Sequence, residues 1–563
     1  MNTRIQTLST EIYEEKAPEV IRGIEALTEK WKQELPIQKF SGKLPVSEKS
    51  CYMITYGDNF RREGEHPLTT LKHFLSKTAD RKIPGVHILP YFPYSSDDGF
   101  SIIDYRKVDP ALGDWADVRG ISEEYDMMTD LVLNHCSKEN DWFRKFLAGE
   151  KDYQNYFIEV DPDTDLSDVF RPRALPLLTR FESPEGPKHI WSTFSDDQMD
   201  LNFAEPKVFL EMLDVFLLYV AQGSNMVRLD AIAYLWKEIG TSCIHHPKTH
   251  LMVKLFRAIL EEVCSWVILL TETNVPHKEN ISYFGDNDEA QMVYQFSLPP
   301  LVLDAFIRGK ANHLQEWAAS LPKPDGKTTF FNFCASHDGV GLLPARGILT
   351  DQEIDGLIEN TKKNGGLVSY KATKDGDVPY EMNISYVNAV SGTTGEPKMR
   401  AQKFCTSQAI MLAMPGVPGV YVHSILGSEN YTKGVEETGR NRTINREKLD
   451  IGELEKELKE NPLRKAIFST MVRMIEVRTG ESAFDPSAAF TVLNTPASVF
   501  AFSRKNAETG SHVLCLHNVS SAEQKVVLDI EAAEAEEIIS SRKEEIRREV
   551  SLAPFETKWL RIS

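Results

Sequence analysis

Four short segments of the chain place acidic or imidazole side chains next to apolar, strand-like runs. They are residues 130–135 (DLVLNH), 226–230 (MVRLD), 267–272 (VILLTE) and 331–338 (FNFCASHD), and in the first of them the apolar run is 131–133. Such runs are typical of buried parallel strands. Polar groups at the carboxyl ends of parallel strands form the active sites of (β/α)8 barrels. The pattern therefore favours a catalytic site over ordinary packing.

Three of the acids, Asp230, Glu272 and Asp338, form the kind of set that cleavage of a glycosidic bond needs. In the retaining reaction one carboxylate attacks the anomeric carbon, and a second, about 5 to 5.5 Å away, protonates the leaving oxygen and later deprotonates the acceptor. Arg228 lies two residues before Asp230 on the same strand face, where its charge is expected to keep that acid ionised. The apolar run before Glu272 is expected to raise its pKa toward that of an acid/base. Buried ion pairing with no catalytic role is the alternative.

The spacing of these residues fits one barrel with two insertions. A barrel of roughly 250 residues uses about 31 for each strand-helix unit. The 42 residues from Asp230 to Glu272 fit one unit, and the 66 from Glu272 to Asp338 fit two, with a strand at 291–296 between them. The 100 residues from Asp130 to Asp230 are too many for one unit, as are those from Asp338 to the run at 419–422. Further strands are predicted at 51–56 and 86–89.

The predicted fold class is α/β, a (β/α)8 TIM barrel with two inserted loop subdomains and a C-terminal antiparallel β domain. The predicted units are an N-terminal helical extension (1–48), the catalytic barrel (49–135, 223–341 and 401–480), a subdomain inserted after strand 3 (136–222), a second inserted after strand 7 (342–400) and the β domain (481–563). The amphipathic N-terminal helices are expected to lie on the barrel or on a partner subunit, so a homodimer is left open.

Composition narrows the class of partner. The chain has 563 residues and a net charge of −19, which argues against nucleic acid and anionic membrane surfaces and favours a small-molecule substrate. No secretory signal and no membrane span are expected. The seven cysteines are scattered and odd in number, which is typical of reduced thiols in a cytoplasmic protein.

The four segments resemble the signature regions of glycoside hydrolase family 13, the α-amylase family. Residues 96–104, 171–176, 237–243, 297–300, 415–418 and 442–446 resemble its sucrose phosphorylase subgroup. The resemblance implies that Asp230 is the nucleophile, Glu272 the acid/base and Asp338 the stabiliser of the transition state. It further implies that inorganic phosphate attacks the glucosyl-enzyme to give α-glucose 1-phosphate.

The resemblance also implies a donor pocket for a single glucose. Asp97 and Arg442 would bind its far hydroxyl groups, and Phe100 would stack on its face. The full set expected to bind substrate is Asp97, Phe100, His135, Gln198, Arg228, His337, Arg442, Tyr380 and Glu381. The last two resemble an acceptor-side loop in which the subgroup has glutamine at the position of Glu381.

The residues that bind phosphate and the acceptor are predicted separately from the donor pocket. Phosphate needs a positive site, and the first candidates are Arg171 and Arg173, because an arginine fork matches phosphate oxygens. The N-terminal extension and residues 271–277 and 425–428 look most like glucosylglycerate phosphorylases. His277 and Lys278 would then balance the carboxylate of glycerate.

Several alternatives stay open. Phosphorylases of glucosylglycerol, sucrose or sucrose 6-phosphate fit the same motifs, and an α-glucoside hydrolase or a non-catalytic carbohydrate-binding subunit is a more distant possibility. No metal and no cofactor are expected, with inorganic phosphate acting as a co-substrate.

Overall fold

The computed structural model describes residues 2–35, 44–173, 175–373, 376–528, 533–546 and 548–562. Residues 36–43 of the predicted N-terminal extension lie outside this range. The same holds for residues 174 and 374–375 of the two predicted insertions, and for residues 529–532 and 547 of the predicted β domain.

Eight parallel strands form a closed barrel. They are β1 (Tyr52–Thr55), β2 (Gly85–Ile88), β3 (Asp126–Leu131), β4 (Ser224–Leu229), β5 (Ile268–Thr271), β6 (Met292–Tyr294), β7 (Thr329–Asn332) and β8 (Val417–Tyr421). Each strand pairs with the next along the chain, and β8 pairs with β1 to close the ring. The (β/α)8 prediction is confirmed.

The third strand is not where its apolar run predicted. The run 131–133 was expected to form it, but β3 is Asp126–Leu131 and ends as that run begins. Asp130 is therefore inside the strand, fully buried, with its Cα opposite that of Arg228 on β4. His135 follows on a separate short strand.

Helices surround the barrel, and five of them begin at a proline, whose missing N–H is not needed in the first turn. The α-helices are Thr3–Tyr13, Ala17–Lys32, Pro67–His73, Trp115–Ser122, Asp141–Leu147, Pro206–Ala221, Pro247–Val263, His277–Asn280, Leu298–Arg308, Asn312–Ala319, Asp351–Lys363, Tyr386–Ser391, Pro397–Ala413, Val422–Ile425, Thr432–Thr438, Ile451–Glu460 and Pro462–Thr479. Short 3-10 turns are Glu14–Lys16, Asp97–Gly99, Lys151–Tyr153, Ile232–Tyr234, Ile281–Phe284, Leu343–Ala345, Asn441–Asn445 and Ser482–Phe484, and Phe74–Thr78 is a π-helix.

The two N-terminal helices pack on the barrel of their own chain. Thr3–Tyr13 lies against Pro247–Val263, and Ala17–Lys32 lies against Pro206–Ala221. The Trp31 indole donates a hydrogen bond to Asp214 at 2.8 Å. Of the two surfaces that the sequence left open for these helices, the barrel is the one they cover.

The remaining strands form small sheets outside the barrel. In the predicted first insertion Leu178–Ser183 pairs with Gly186–Trp191, and Gln198–Asp200 pairs with His135–Ser137 at the boundary of the predicted barrel. In the predicted second insertion Leu367–Thr373 pairs with Gly376–Asn383, which also pairs with Val340–Gly341 at the end of the preceding barrel segment. The C-terminal sheets are Ala489–Val492, Val499–Lys505, His512–Asn518, Thr557–Ile562, Ala533–Glu537 and Arg542–Ile546, and Gln524–Val527 with Glu549–Leu552; Phe60–Arg61 pairs in parallel with Leu449–Asp450. The helix Pro397–Ala413 crosses the predicted boundary at residue 400, and the domain boundaries stay a prediction.

A buried arginine ties distant parts of the chain together below the barrel. Arg478, on the helix Pro462–Thr479, donates to the carbonyl oxygens of Ser50 at 2.9 Å, Gly416 at 3.0 Å and Phe484 at 3.2 Å. These acceptors precede β1, precede β8 and open the C-terminal region, respectively. One guanidinium thus links the segments before the first and last barrel strands to the start of the C-terminal region.

All seven cysteines are buried and free. Within the described ranges, no helix combines the length and the apolar character that crossing a bilayer requires.

Candidate active site

A pocket of about 460 Å³ opens where the carboxyl ends of the barrel strands meet. All twelve residues predicted as catalytic or substrate-binding line it: Asp97, Phe100, His135, Gln198, Arg228, Asp230, Glu272, His337, Asp338, Tyr380, Glu381 and Arg442. Asp230 directly follows β4 and Glu272 directly follows β5, so the strand ends bring the two acids together. The size suits one or two sugar-sized groups.

Arg228 lies at the base of the pocket and contacts three carboxylates. Its Nη1 donates to Asp130 and, at 2.7 Å, to Oδ1 of Asp230, and its Nη2 is 3.9 Å from Oε1 of Glu272. The side chain is only 3% exposed. Asp130 also accepts a 2.6 Å hydrogen bond from His87. The buried Asp130–His87 pair therefore helps to fix the position of Arg228.

Burial and the charge of Arg228 act in opposite directions on the pKa values of Asp230 and Glu272. Burial raises the pKa of Asp230 to about 8; the Arg228 guanidinium lowers it and the charge of Glu272 raises it further. Burial also raises the pKa of Glu272. Burial therefore acts against the expectation that Arg228 keeps Asp230 ionised. Arg228 lies closer to Asp230 than to Glu272, so of the two negative charges the one on Asp230 is better stabilised.

The residue after Asp230 helps to orient Glu272. Ala231 has a left-handed backbone, with φ of 50°, and its N–H donates to Oε2 of Glu272 at 3.0 Å. Such a conformation in a non-glycine residue is strained and is common at functional sites. It leaves the other oxygen of Glu272 on the side of Arg228.

Asp338 is held by arginines on the opposite side of the pocket. Its Oδ1 is 2.6 Å from Nη1 of Arg442, and 3.8 Å from Nη2 of Arg446. Although burial acts the other way, these charges hold the pKa of Asp338 well below its usual range. Asp338 is therefore a permanent anion, in contrast to Glu272.

Glu381 faces Arg442 rather than open space. Arg442 donates to it twice, from Nε at 3.0 Å and from Nη2 at 2.6 Å. The Glu381 side chain is 3% exposed. The acid that replaces the subgroup's glutamine thus serves as a counterion for Arg442.

Asp97 lines the pocket beside Gln198 and Arg173. It accepts a hydrogen bond from Nε2 of Gln198 at 3.2 Å and lies 3.8 Å from Nη2 of Arg173. Burial opposes its ionisation, but Arg173 and Arg442 together lower its pKa. Asp97 and Arg442 share the pocket, while the ion pair of Asp97 is with Arg173.

Two histidines pack around Phe100. The rings of His337 and Phe100 stack in parallel, with centroids 4.9 Å apart. Burial lowers the pKa of His337 to about 3, so it is neutral. Nε2 of His135 donates to the Phe100 carbonyl at 2.9 Å. One face of the Phe100 ring is therefore covered by protein.

Three predicted phosphate or acceptor residues do not line the pocket. Arg171 is exposed and donates to the carbonyl of Leu175, whereas its neighbour Arg173 lines the pocket. The ring of His277 lies 6.0 Å from that of Trp317, and burial lowers its pKa. Lys278 is exposed outside the pocket. His277 and Lys278 are close to Glu272 in sequence, but they do not line the pocket that holds it.

Three further cations at or beside the pocket were not predicted as site residues. Arg446 donates to the backbone oxygen of His337 at 2.8 Å and also binds Asp98. It lies in the segment 442–446 that carried the family resemblance, and that motif was the one sequence feature that pointed to it. Arg346 and Lys371 line the pocket from the predicted second insertion. Nothing in their local sequence distinguishes them from surface cations.

The chain is similar to known proteins over almost its whole length. A family profile described as "Alpha amylase, catalytic domain" matches residues 79–338. A glucosylglycerate phosphorylase of Spirochaeta thermophila is 52% identical over 575 residues, which cover 99% of this chain and 98% of the relative. A glucosylglycerate phosphorylase of Escherichia coli is 44% identical over 518 residues, covering 91% and 92%.

A solved structure agrees in fold. The crystal structure of sucrose 6F-phosphate phosphorylase from Thermoanaerobacter thermosaccharolyticum superposes with a TM-score of 0.74 at 23% identity, covering 89% of this chain and 98% of the other. A closed parallel barrel whose pocket holds Asp230, Glu272 and Asp338 has the arrangement that barrel enzymes acting on glycosidic bonds use. The chain belongs to glycoside hydrolase family 13, the α-amylase family.

Proposed function

We propose that this protein is a glucosylglycerate phosphorylase. It would reversibly convert 2-O-α-D-glucopyranosyl-D-glycerate and inorganic phosphate into α-D-glucose 1-phosphate and D-glycerate. The observation that carries the proposal is the 52% identity to such an enzyme over 99% of the chain. The three acids gathered in one pocket support it, because a non-catalytic relative has no need to keep them.

The first half of the reaction uses Asp230 and Glu272. The Asp230 carboxylate attacks the anomeric carbon as the bond to glycerate breaks, and Glu272 gives its proton to the leaving oxygen. The 2.7 Å contact of Asp230 with Arg228 supports the role of nucleophile. The raised pKa of the buried Glu272 supports that of acid. Asp338, a permanent anion across the pocket, would stabilise the positive charge that develops on the sugar.

In the second half, phosphate replaces glycerate. A phosphate oxygen attacks the anomeric carbon, the ester to Asp230 breaks, and Glu272 takes back a proton. Of the two predicted phosphate arginines, Arg173 is the better candidate because it lines the pocket. The carboxylates and phosphate supply all of this chemistry, so we propose that no cofactor or metal takes part.

Two further expectations are part of the proposal. Free, buried cysteines fit a reducing compartment, and we propose a cytoplasmic location. The partners would be small molecules, the sugar and phosphate. A homodimer stays a prediction.

The test is release of inorganic phosphate from α-glucose 1-phosphate with D-glycerate, glycerol, fructose or fructose 6-phosphate offered separately. We expect D-glycerate to accelerate release most, with glycerol at best a poor acceptor, and Asp230→Asn to abolish release. A stronger acceleration by any of the other three would keep the mechanism and contradict the acceptor. No release with any of the four would contradict the phosphorylase proposal.

A further inference from the structure

Two cations of the pocket are not neutralised by its acids. Five carboxylates and five lysine or arginine side chains line the cavity. Arg173, Arg228 and Arg442 each lie within 3.8 Å of a pocket carboxylate. Lys371 and Arg346 do not. Among the described residues, the one carboxylate recorded as an ion-pair partner of either is Asp351, 4.0 Å from Arg346.

Asp351 is a weak counterion for this pair. Its side chain is 96% exposed, so water and salt screen its charge. It also does not line the pocket, whereas Arg346 does. The positive charge on the pocket side is therefore left largely unbalanced.

Lys371 is held in place before any ligand binds. It is half-buried on the strand Leu367–Thr373, and its Nζ lies 4.8 Å from the centre of the Phe170 ring and donates to the Arg171 carbonyl at 3.4 Å. Burial lowers the pKa of Lys371, and the nearby charge of Arg346 lowers it further. Two like charges kept together at a cavity wall without an acid between them favour a small anion there.

We propose that Lys371 and Arg346 bind the carboxylate of the acceptor. This inference rests on the proposed function and adds the residues that select an anionic acceptor over a neutral one. It replaces His277 and Lys278, which lie outside the pocket. Binding the carboxylate on this wall would leave the acceptor hydroxyl free to face the glucosyl group on Asp230.

The experiment separates acceptor binding from phosphate binding by using α-D-glucosyl fluoride as donor. Fluoride release is followed with increasing D-glycerate or glycerol, in the wild type and in Lys371→Met, Arg346→Gln and Lys371→Arg. Matched controls are Lys433→Met and Arg180→Gln, which remove exposed cations that do not line the cavity. Melting temperatures within about 2 °C of the wild type establish that each variant is folded.

We expect the ratio of the glycerate KM to the glycerol KM to rise about ten-fold in Lys371→Met and in Arg346→Gln. Lys371→Arg, which keeps the charge, should recover most of the loss, and both controls should match the wild type. An unchanged ratio in a folded variant would overturn the inference. So would an equal rise for both acceptors, or a rise confined to the KM for phosphate in phosphorolysis. A wild type that does not use D-glycerate at all would instead contradict the proposed function.

Discussion

Arg442 binds Glu381 through two parallel hydrogen bonds, Nε to Oε1 at 3.0 Å and Nη2 to Oε2 at 2.6 Å. Its remaining terminal nitrogen lies 2.6 Å from Asp338. Two acids therefore share one arginine, and Glu381 sets how the arginine faces Asp338. A bidentate pair of this kind is both strong and directional.

The first prediction concerns that pair. Glu381→Gln replaces an accepting oxygen with a donor, so Arg442 loses one of its two charge-assisted bonds. We expect kcat/KM for α-glucose 1-phosphate to fall about ten-fold, which is about 1.4 kcal/mol. Steady-state kinetics measure this, with the exposed Glu437→Gln as control. Wild-type kinetics in Glu381→Gln would show that the pair has no part in catalysis.

The second prediction concerns Arg228. Arg228→Lys keeps the charge but removes the fork, and one ammonium cannot reproduce the contacts with both Asp130 and Asp230. We expect kcat to fall at least about 100-fold and the free energy of unfolding to fall by about 1 to 3 kcal/mol. Kinetics and denaturant titration test the two effects. The control is Arg257→Lys. Arg257 pairs with Glu261 on its own helix and donates to the Glu289 carbonyl, and it does not line the pocket, so kcat should not change.

The third prediction separates the roles of the two central acids. Glu272→Gln removes the proton donor, so phosphorolysis of glucosylglycerate should fall about 10²- to 10⁴-fold. Fluoride needs less protonation to leave, so glucosyl-enzyme formation from α-D-glucosyl fluoride should fall much less. Comparing the two donors by initial rates gives the answer, with the surface variant Glu279→Gln as control. Equal losses with both donors would contradict the assignment of Glu272 as the acid.

The fourth prediction concerns pH. Burial raises the pKa of both Asp230, to about 8, and Glu272, and apparent values belong to the pair because both acids contact Arg228. With the single proton on Glu272, kcat/KM should decrease as pH rises through the upper apparent pKa of the pair, since the last proton is lost and no acid remains. A pH profile on the alkaline side of neutrality measures this. If kcat/KM increased with pH there instead, the proton would belong to Asp230.

The fifth prediction compares two neighbouring arginines. Arg173 lines the pocket and Arg171 does not. In phosphorolysis, Arg173→Gln should raise the KM for phosphate about ten-fold, and Arg171→Gln should change it less than about two-fold. The reverse order would place the phosphate site outside the cavity.

The barrel and its acids were predictable from sequence because they depend on local patterns. Apolar runs that end in Asp230 and Glu272 mark strands β4 and β5, and parallel strands must bring their carboxyl ends together. The predicted position of the third strand was wrong because the hydrophobic pattern cannot choose between two adjacent apolar stretches. Asp130 interrupts the pattern only because it is buried with an arginine and a histidine.

The acceptor side was not predictable for a different reason. His277 and Lys278 lie near Glu272 in sequence, but the short helix His277–Asn280 carries them away from the cavity. Lys371 reaches it from a segment about 100 residues later. Which insertion folds over the pocket depends on tertiary contacts that no local motif records.

The contacts of Arg478 and the pairing of β1 with β8 have a consequence during protein synthesis. Strand β1 cannot meet its partner on one edge until residue 421 has left the ribosome, and Arg478 is made later still. At about 5 to 20 residues per second, that edge waits roughly 20 to 70 s. For most of its translation the nascent chain therefore carries an apolar strand with one unpaired edge, which can aggregate. If the protein depends on a chaperone, that dependence is expected for newly made chains.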